Sequence, residues 1–177
     1  GTSNSSYGIS LSISSNNTLT NNIGTSNSSW GIYLASSSDN NTLTNNIGTS
    51  NSYYGILLSS SSNNILTNNT GTSNTSIGII LSSSSNNNLT NNRGTSNSSF
   101  GIYLQSSSNN NILTNNTGTS NIGAGIYLVS SSNNTLTNNI GTSNSSFGIH
   151  LQSYSNNNTL TFNRGTSNSS FGIYLTQ

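Results

Sequence analysis

Apolar residues recur along the chain at fixed places within a unit of 23 or 24 residues. Within each unit, Ile and Leu alternate with polar residues, the period of two that is typical of a strand with one buried face. No change of composition interrupts the array, so we predict a single β-solenoid domain over residues 1–177. Aligned on the tetrapeptide GTSN, the units begin at Gly1, Gly24, Gly48, Gly71, Gly94, Gly118, Gly141 and Gly165.

Three apolar columns form the predicted core. An Ile column runs from Ile9 to Ile173, and a Leu column two residues later runs from Leu11 to Leu175. The third column, on the next strand, is Leu19, Leu43, Leu66, Leu89, Leu113, Leu136 and Leu160. Because strand faces alternate, we expect the column two residues before each Ile to face inward as well. Its members are Tyr7, Trp30, Tyr54, Ile77, Phe100, Ala124, Phe147 and Phe171.

The GTSN segment is predicted to alternate in the same way. The position before its glycine holds Arg93 in one unit and Arg164 in another. A position that accepts Arg faces solvent. We therefore expect Gly24 and its equivalents to face inward, Thr25 outward and Ser26 inward.

Composition adds one question to this picture, namely how the many polar side chains form hydrogen bonds. Apolar residues make up 28% and charged residues 2% of the chain, and Ser, Asn, Thr and Gly dominate, which argues against helix. We predict that inward asparagines stack into a ladder, each amide bonding to the coils above and below. The extra residue of the longer units is expected in a bulge at residues 39–41, 109–111 and 156–158. The predicted ladder is Asn22, Asn46, Asn69, Asn92, Asn116, Asn139 and Asn163.

The repeat pattern GIYLxSSSNNTLTNNxG resembles the NosD-type parallel β-helix repeat, which is abundant in surface and secreted proteins of archaea, particularly methanogens. The resemblance covers all 177 residues. It implies an all-β, right-handed, single-stranded parallel β-helix of about 7.5 coils. The copper-site maturation linked to NosD proteins is not expected here, since the chain has no Cys, no Met and one His.

The charged residues offer little chemistry. Catalytic β-helices resemble one another in using clustered carboxylates, whereas Asp39 is the one acid here. We predict no enzyme activity, no cofactor and no metal site, and a net charge of +1 argues against nucleic acid as a partner. No apolar run is long enough to predict a membrane span. Asp39 is interpreted as a turn residue that caps local amides, and His150 as a surface side chain.

Two outward rows are candidate functional surfaces. The first, beginning at Ser10, suggests a lateral or glycan-stacking contact, or simply outward residues of good strand propensity. It comprises Tyr33, Leu57, Ile80, Tyr103, Tyr127, His150 and Tyr174. The second resembles the flat threonine faces of ice-binding proteins, although its companion row is broken by Ile and Asn. It comprises Thr20, Thr44, Thr67, Thr90, Thr114, Thr137 and Thr161.

N-glycosylation sequons are the third outward feature. We expect sequons at ladder positions to be buried and those at corners to be available for glycans. Asparagines of N-x-S/T sequons include Asn4, Asn16, Asn27, Asn40, Asn68, Asn74, Asn97, Asn115, Asn133, Asn144, Asn157 and Asn168.

The sequence favours a non-catalytic extracellular structural element. Surface-layer, adhesin-like and filament-forming roles fit its length and rigidity, and ice-binding or glycan-binding modules are the alternatives. Both ends retain full repeat character, with Ile173 and Leu175 still in core register. We therefore expect them to be covered by flanking sequence or by self-association, end to end or lateral.

Overall fold

The computed structural model describes residues 1–26, 28–50, 52–73 and 75–176. These residues form strands and no helix, as predicted. The strands are β1 (Thr2–Ser3), β2 (Ile9–Ser12), β3 (Thr18–Thr20), β4 (Ile23–Ser26), β5 (Ile32–Ala35), β6 (Thr42–Thr44), β7 (Ile47–Ser50), β8 (Tyr54–Ser59), β9 (Ile65–Thr67), β10 (Thr70–Ser73), β11 (Ile77–Ser82), β12 (Asn88–Thr90), β13 (Arg93–Ser96), β14 (Ile102–Gln105), β15 (Ile112–Thr114), β16 (Thr117–Ser120), β17 (Ile126–Val129), β18 (Thr135–Thr137), β19 (Ile140–Ser143), β20 (Ile149–Gln152), β21 (Thr159–Thr161), β22 (Arg164–Ser167) and β23 (Ile173–Leu175).

Each coil contributes one strand to each of three parallel sheets. Sheet A orders β1-β4-β7-β10-β13-β16-β19-β22, sheet B orders β2-β5-β8-β11-β14-β17-β20-β23, and sheet C orders β3-β6-β9-β12-β15-β18-β21. The register matches equivalent residues of successive units, so that Leu89 of β12 pairs with Leu66 on one side and Leu113 on the other. Every column of the sequence is therefore a line of stacked side chains.

The interior is one continuous apolar cluster of Ile and Leu. Ile102, Leu104 and Leu113, one from each predicted core column, are fully buried. The three columns are thus confirmed as the core. In the first and last coils the same columns are only partly covered, because those coils have a neighbour on one side alone, and Leu175 is 61% exposed.

Sheets A and B meet at a corner that has no room for a side chain. A Cβ on Gly94 would lie 2.1 Å from the carbonyl oxygen of Gly101, and a Cβ on Gly101 would lie 2.3 Å from the backbone nitrogen of Thr119. Glycine at both positions lets the two backbones touch. In β13, Gly94 and Ser96 are buried while Thr95 is partly exposed, so the predicted alternation of the GTS residues is confirmed.

The extra residue of the longer units lies directly after the sheet B strand, so its predicted place at residues 39–41 is wrong. Ser36 and Ser37 are both left-handed, with φ of 54° and 63°, whereas the 23-residue unit that follows has one such residue there, Ser60 with φ of 50°. Asn41 is held between the coils on either side by hydrogen bonds, so the outer turn absorbs the extra residue. The same doubling occurs at Ser106 and Ser107 and at Ser153 and Tyr154.

Candidate functional site

The predicted asparagine ladder is present at the corner between sheets C and A. Asn92 Oδ1 accepts hydrogen bonds from the backbone N–H of Asn69 at 2.8 Å and from Asn69 Nδ2 at 3.0 Å. Asn92 Nδ2 donates to Leu66 O at 2.8 Å and to Asn116 Oδ1 at 3.1 Å. This pattern satisfies a buried amide on both sides. Backbone-to-Oδ1 bonds of the same kind link the whole column from Asn22 to Asn163.

A second asparagine ladder, which sequence reasoning missed, runs at the corner between sheets B and C. Asn87 donates from its backbone N–H to Asn111 Oδ1 at 2.8 Å and from Nδ2 to the same oxygen at 3.1 Å. The sequence contains the signal, because the position directly before each sheet C strand is Asn in every coil. The bulge predicted at residues 39–41 fell on this position and concealed the ladder. Its members are Asn17, Asn41, Asn64, Asn87, Asn111, Asn134 and Asn158.

The residue before each ladder asparagine turns the chain and faces solvent. Asn91 has φ of 56° and Asn86 has φ of 58°, both in the left-handed region. Asn adopts this conformation at lower cost than most residues other than Gly. Phe162 stands in the Asn91 column with φ of 55° and is 85% exposed. This column is therefore confirmed as outward.

The aromatic column lies outside the core, so its predicted inward direction is wrong. Trp30 packs against Tyr33 with ring centroids 4.5 Å apart, and Phe100 packs against Tyr103 at 4.8 Å. The glycine contact between sheets A and B already fills the inner corner. We call the resulting layer the aromatic spine. It joins the column Tyr7, Trp30, Tyr54, Ile77, Phe100, Ala124, Phe147 and Phe171 to the row Tyr33, Leu57, Ile80, Tyr103, Tyr127, His150 and Tyr174.

The candidate lateral or glycan contact row is consequently covered in part, and its four tyrosines remain half-buried. It lies on the outer face of sheet B, but Leu57 is 6% exposed and Ile80 only 1% exposed. Tyr53, Tyr7 and Phe171 are the more exposed aromatic side chains beside it. The spine therefore presents partly covered aromatic side chains to solvent in place of an open apolar strip.

His150 is buried in the spine, so its interpretation as a surface side chain is wrong. Its ring lies 4.3 Å from that of Phe147 and 5.0 Å from that of Tyr127. Thr176 Oγ1 is 3.4 Å from its Nε2. Burial lowers the pKa of His150 below 6.5 because the charged imidazolium loses solvation.

The tyrosines of the spine show the same effect of burial. Burial raises the pKa of Tyr103 to about 12, with smaller contributions from the adjacent Tyr127 and Tyr54. Burial also raises the pKa of Tyr127, whose hydroxyl donates to Gln152 Oε1 at 2.7 Å. Both phenols are therefore held in the neutral form, as packing residues require.

The candidate threonine row lies on the outer face of sheet C. Thr90 pairs in register with Thr67 and Thr114, and from Thr44 onward the row is partly exposed. The companion positions on the same strands are more exposed, and two of them, Ile65 and Ile112, are each 47% exposed. Along the solenoid axis this row repeats Thr in every coil, whereas across each strand the face combines that Thr with Thr, Ile or Asn.

Of the sequon asparagines named above, those within the described residues are all exposed at corners, and none occupies a ladder. The expectation that some would be buried at ladder positions is therefore wrong. Asn27 and Asn74 lie outside the described residues. The exposed acceptors are Asn4, Asn16, Asn40, Asn68, Asn97, Asn115, Asn133, Asn144, Asn157 and Asn168.

The charged side chains take structural or solvated positions. Asp39 Oδ1 accepts the backbone N–H of Ser62 at 2.6 Å, an amide of the next coil rather than of its own turn, so the predicted local cap is wrong. Arg93 and Arg164 are exposed at the starts of β13 and β22. In the described part of the chain, no group of three or more His, Asp or Glu side chains could hold a metal ion, and no helix could span a membrane.

A cavity of about 330 Å³ opens at the last coil. Its walls include the core side chains Leu151, Leu160 and Leu175 together with Asn158 and Thr176. It lies beyond β21, the edge strand of sheet C, where sheets A and B each have one further strand. The cavity is therefore an open section of the core rather than a separate ligand pocket.

Comparison with known proteins agrees with this architecture. The family described as "Right handed beta helix region" matches residues 2–140. No curated protein and no solved structure is detectably similar to the chain.

Proposed function

Because the chain belongs to the right-handed β-helix family, we propose that it is a non-catalytic, extracellular structural element of a surface-layer, adhesin-like or filament-forming type. The NosD-type character of the repeat and an archaeal source are part of this proposal, and they rest on the repeat pattern quoted above. The chain supplies a rigid spacer whose length is set by the number of coils.

The continuous hydrogen-bond ladders are the observation that carries the proposal. Asn46 to Asn69 to Asn92 is an unbroken run of bonds at 2.8 Å through the interior, and the second asparagine ladder repeats it at another corner. Repeated contacts between successive coils favour stiffness along the axis. A binding or catalytic module, by contrast, gains from local departures that form a concave site.

The non-catalytic part of the proposal is supported by what the charged residues do. Asp39 is engaged with a backbone amide of the next coil, and the two arginines lie on the outside of sheet A. A hydrolase or lyase needs a carboxylate facing a second catalytic group.

End-to-end stacking is supported by the polarity of the ladders. Each ladder oxygen accepts from the coil on its N-terminal side, as Asn163 Oδ1 does from Asn139. Among the described residues, Asn22 Oδ1 has no such donor. The last coil also exposes Leu175, whose equivalents in inner coils are buried. A coil before the first would supply a donor to Asn22 Oδ1, and a coil after the last would cover Leu175. Further sequence or head-to-tail stacking of molecules would provide both.

Electron microscopy and small-angle scattering of the 177-residue chain test the proposal. Seven and a half coils at about 4.8 Å give a rod of roughly 36 Å, and we expect rods that lengthen into filaments with concentration. Leu175→Lys should shorten the filaments without unfolding the rod, whereas Gln105→Lys on an outward position should not. Monodisperse monomers at all concentrations would rule out stacking by this chain.

Ice binding is the first alternative, favoured by the in-register threonines of sheet C. Thermal hysteresis and ice shaping by the purified chain would support it. Glycan binding is the second alternative, and binding to a glycan array that Tyr103→Ala abolishes would support it. The covering of Leu57 and Ile80 leaves less exposed apolar surface in this row for a sugar to contact.

A further inference from the structure

The corners that flank sheet C present asparagines whose side-chain amides make no hydrogen bond to any other described residue. Asn16 and Asn133 precede sheet C and have φ of 62° and 58°. Asn68 and Asn115 follow it, each with φ of 56°. All are exposed. An exposed amide without a partner can be covalently modified without loss of a structural contact.

These asparagines belong to N-N-T sequons whose other two residues are placed by the fold. In the sequon of Asn133, the next residue, Asn134, is buried and accepts from Asn111 at 2.8 Å in the ladder. The third residue, Thr135, begins β18 and is exposed. The turn therefore brings the acceptor amide and the threonine hydroxyl to the same outer surface.

Each complete coil except the fourth has one sequon beside sheet C. The fourth has the sequon of Asn88 within β12, where Asn88 Oδ1 accepts from Thr90 Oγ1 at 3.1 Å. Where sheet C begins with Ile, as at Ile65 and Ile112, the sequon before it is lost. In those two coils the threonine that begins the next sheet A strand, Thr70 or Thr117, completes a sequon on the other side of sheet C. The resulting set is Asn16, Asn40, Asn68, Asn115, Asn133 and Asn157.

Asparagines at the corner between sheets A and B differ in their contacts. Asn144 Nδ2 donates to Asn121 Oδ1 at 3.1 Å, and Asn168 Nδ2 donates to Asn144 Oδ1 at 3.2 Å. Asn121 in turn donates to Asn97 Oδ1 at 3.4 Å. A sugar on one of these amides would replace a donor of this outer chain of amides, so these sequons are the poorer acceptors.

We propose that the six asparagines beside sheet C are N-glycosylation sites. The amide nitrogen forms a bond to C1 of a sugar carried on a diphosphate, the bond from C1 to the diphosphate oxygen breaks, and the diphosphate leaves with that electron pair while the amide loses one proton. The inference rests on the proposed extracellular location, because lipid-diphosphate sugars of this kind are transferred to chains that are being exported.

Sugars at these positions would line both margins of sheet C. Successive coils are about 4.8 Å apart, so glycans at neighbouring coils would form a dense hydrophilic fringe over the threonine rows. That fringe excludes sheet C from lateral packing and from contact with ice. It leaves the ends, the outer face of sheet A and the aromatic spine available for contacts.

Transfer to the folded chain tests the proposal. The probe is a soluble N-glycosyltransferase that moves one hexose from a nucleotide diphosphate sugar to N-x-S/T sequons. After the reaction, tryptic cleavage at Arg93 and Arg164 gives fragments 1–93, 94–164 and 165–177. The last contains the single sequon asparagine Asn168, and we expect it to stay unmodified while fragmentation places hexoses at Asn115, Asn133 and Asn157 in the middle fragment.

Matched variants give the test its controls. Thr135→Val should remove one hexose because it destroys the sequon of Asn133, whereas Thr137→Val, on the same strand and face, should remove none. Ile112→Thr should add one hexose at Asn110, an exposed corner residue with φ of 57°. Circular dichroism of each product checks that the chain is still folded.

Two outcomes would overturn the proposal. One is no hexose on the folded chain, and the other is fragment 165–177 modified as fully as the corners beside sheet C. Neither outcome bears on whether the chain forms rods, which microscopy decides. Failure of the glycan sites is therefore distinguishable from failure of the proposed function.

Discussion

The two faces of sheet B carry apolar side chains in opposite circumstances. On the inner face, Ile102 and Leu104 meet side chains of the other strands of the coil and are fully buried. On the outer face, Phe100 and Tyr103 meet each other and their neighbours along the axis, with water on the remaining side. Apolar character is shared by both faces, so burial depends on what lies opposite rather than on residue type.

The inside and the outside of the coil also carry different kinds of asparagine. Asn92 is inside and forms four side-chain hydrogen bonds, two as acceptor and two as donor. Asn91 is outside and supplies a left-handed turn. At Asn92 the interior satisfies both side-chain polar atoms, whereas the outer corners select for backbone conformation.

The largest expected effect comes from a polar residue of the interior. Asn92→Leu removes those four bonds and strands the N–H groups of Asn69 and Leu66 O, whereas Asn116 Oδ1 keeps the backbone N–H of residue 92. At about 1–3 kcal/mol for each stranded group, we expect a loss of more than about 4 kcal/mol in the free energy of unfolding. Chemical denaturation measures it.

Asn91→Leu is the matched control for that change. It places a side chain without local hydrogen bonds in a left-handed turn, at a cost of about 1–2 kcal/mol. Equal losses for Asn91→Leu and Asn92→Leu would contradict the assignment of inner and outer asparagines.

The next effect concerns the apolar interior. Leu104→Ala should lower the free energy of unfolding by about 2–5 kcal/mol, because it opens a cavity between coils that cannot collapse. Gln105→Ala, on the next and outward position, should change it by less than about 0.5 kcal/mol. A nearly neutral Leu104→Ala in thermal or urea unfolding would contradict the buried Leu column.

The aromatic spine should be less sensitive. Tyr103→Ala removes stacking on Tyr127, whose ring lies 5.1 Å away at 8°, and contact with Phe100. Because Tyr103 is only partly buried, we expect a loss of about 1–2 kcal/mol, and less for the more exposed Tyr53→Ala. A loss for Tyr103→Ala that equals that for Leu104→Ala would show that the spine is a second core.

The smallest effect is a dependence of stability on pH that originates in the spine. The folded state holds the pKa of His150 below 6.5, so the unfolded chain binds more protons as the pH falls through 6.5. Stability should therefore decrease as the pH is lowered from about 7 to about 5, and the loss should be complete below the folded-state pKa. Melting temperatures across this range measure it. His150→Tyr, which restores the commonest residue of the row, should remove the dependence, and a wild-type protein without it would contradict the burial of His150.

Repeat length, strand identity and the Ile and Leu core were predictable from the sequence. Comparing the eight units shows which positions face solvent. A column that accepts Arg93 and Arg164 faces solvent, whereas a column that holds only Leu faces the interior. The ladder from Asn22 to Asn163 followed from the same reasoning, since an unbroken Asn column beside one that admits Phe162 indicates an inward position.

Only the tertiary structure decided the direction of the aromatic column, the second ladder and the environment of His150. Alternation predicts an inward direction only where the interior has room for a side chain, and the aromatic column meets a corner that has none. The cause is the contact between the backbones of sheets A and B, where a Cβ on Gly101 would lie 2.3 Å from Thr119 N. That distance joins residues of different sheets and different coils, and it depends on how the coil closes rather than on the local pattern of any one strand.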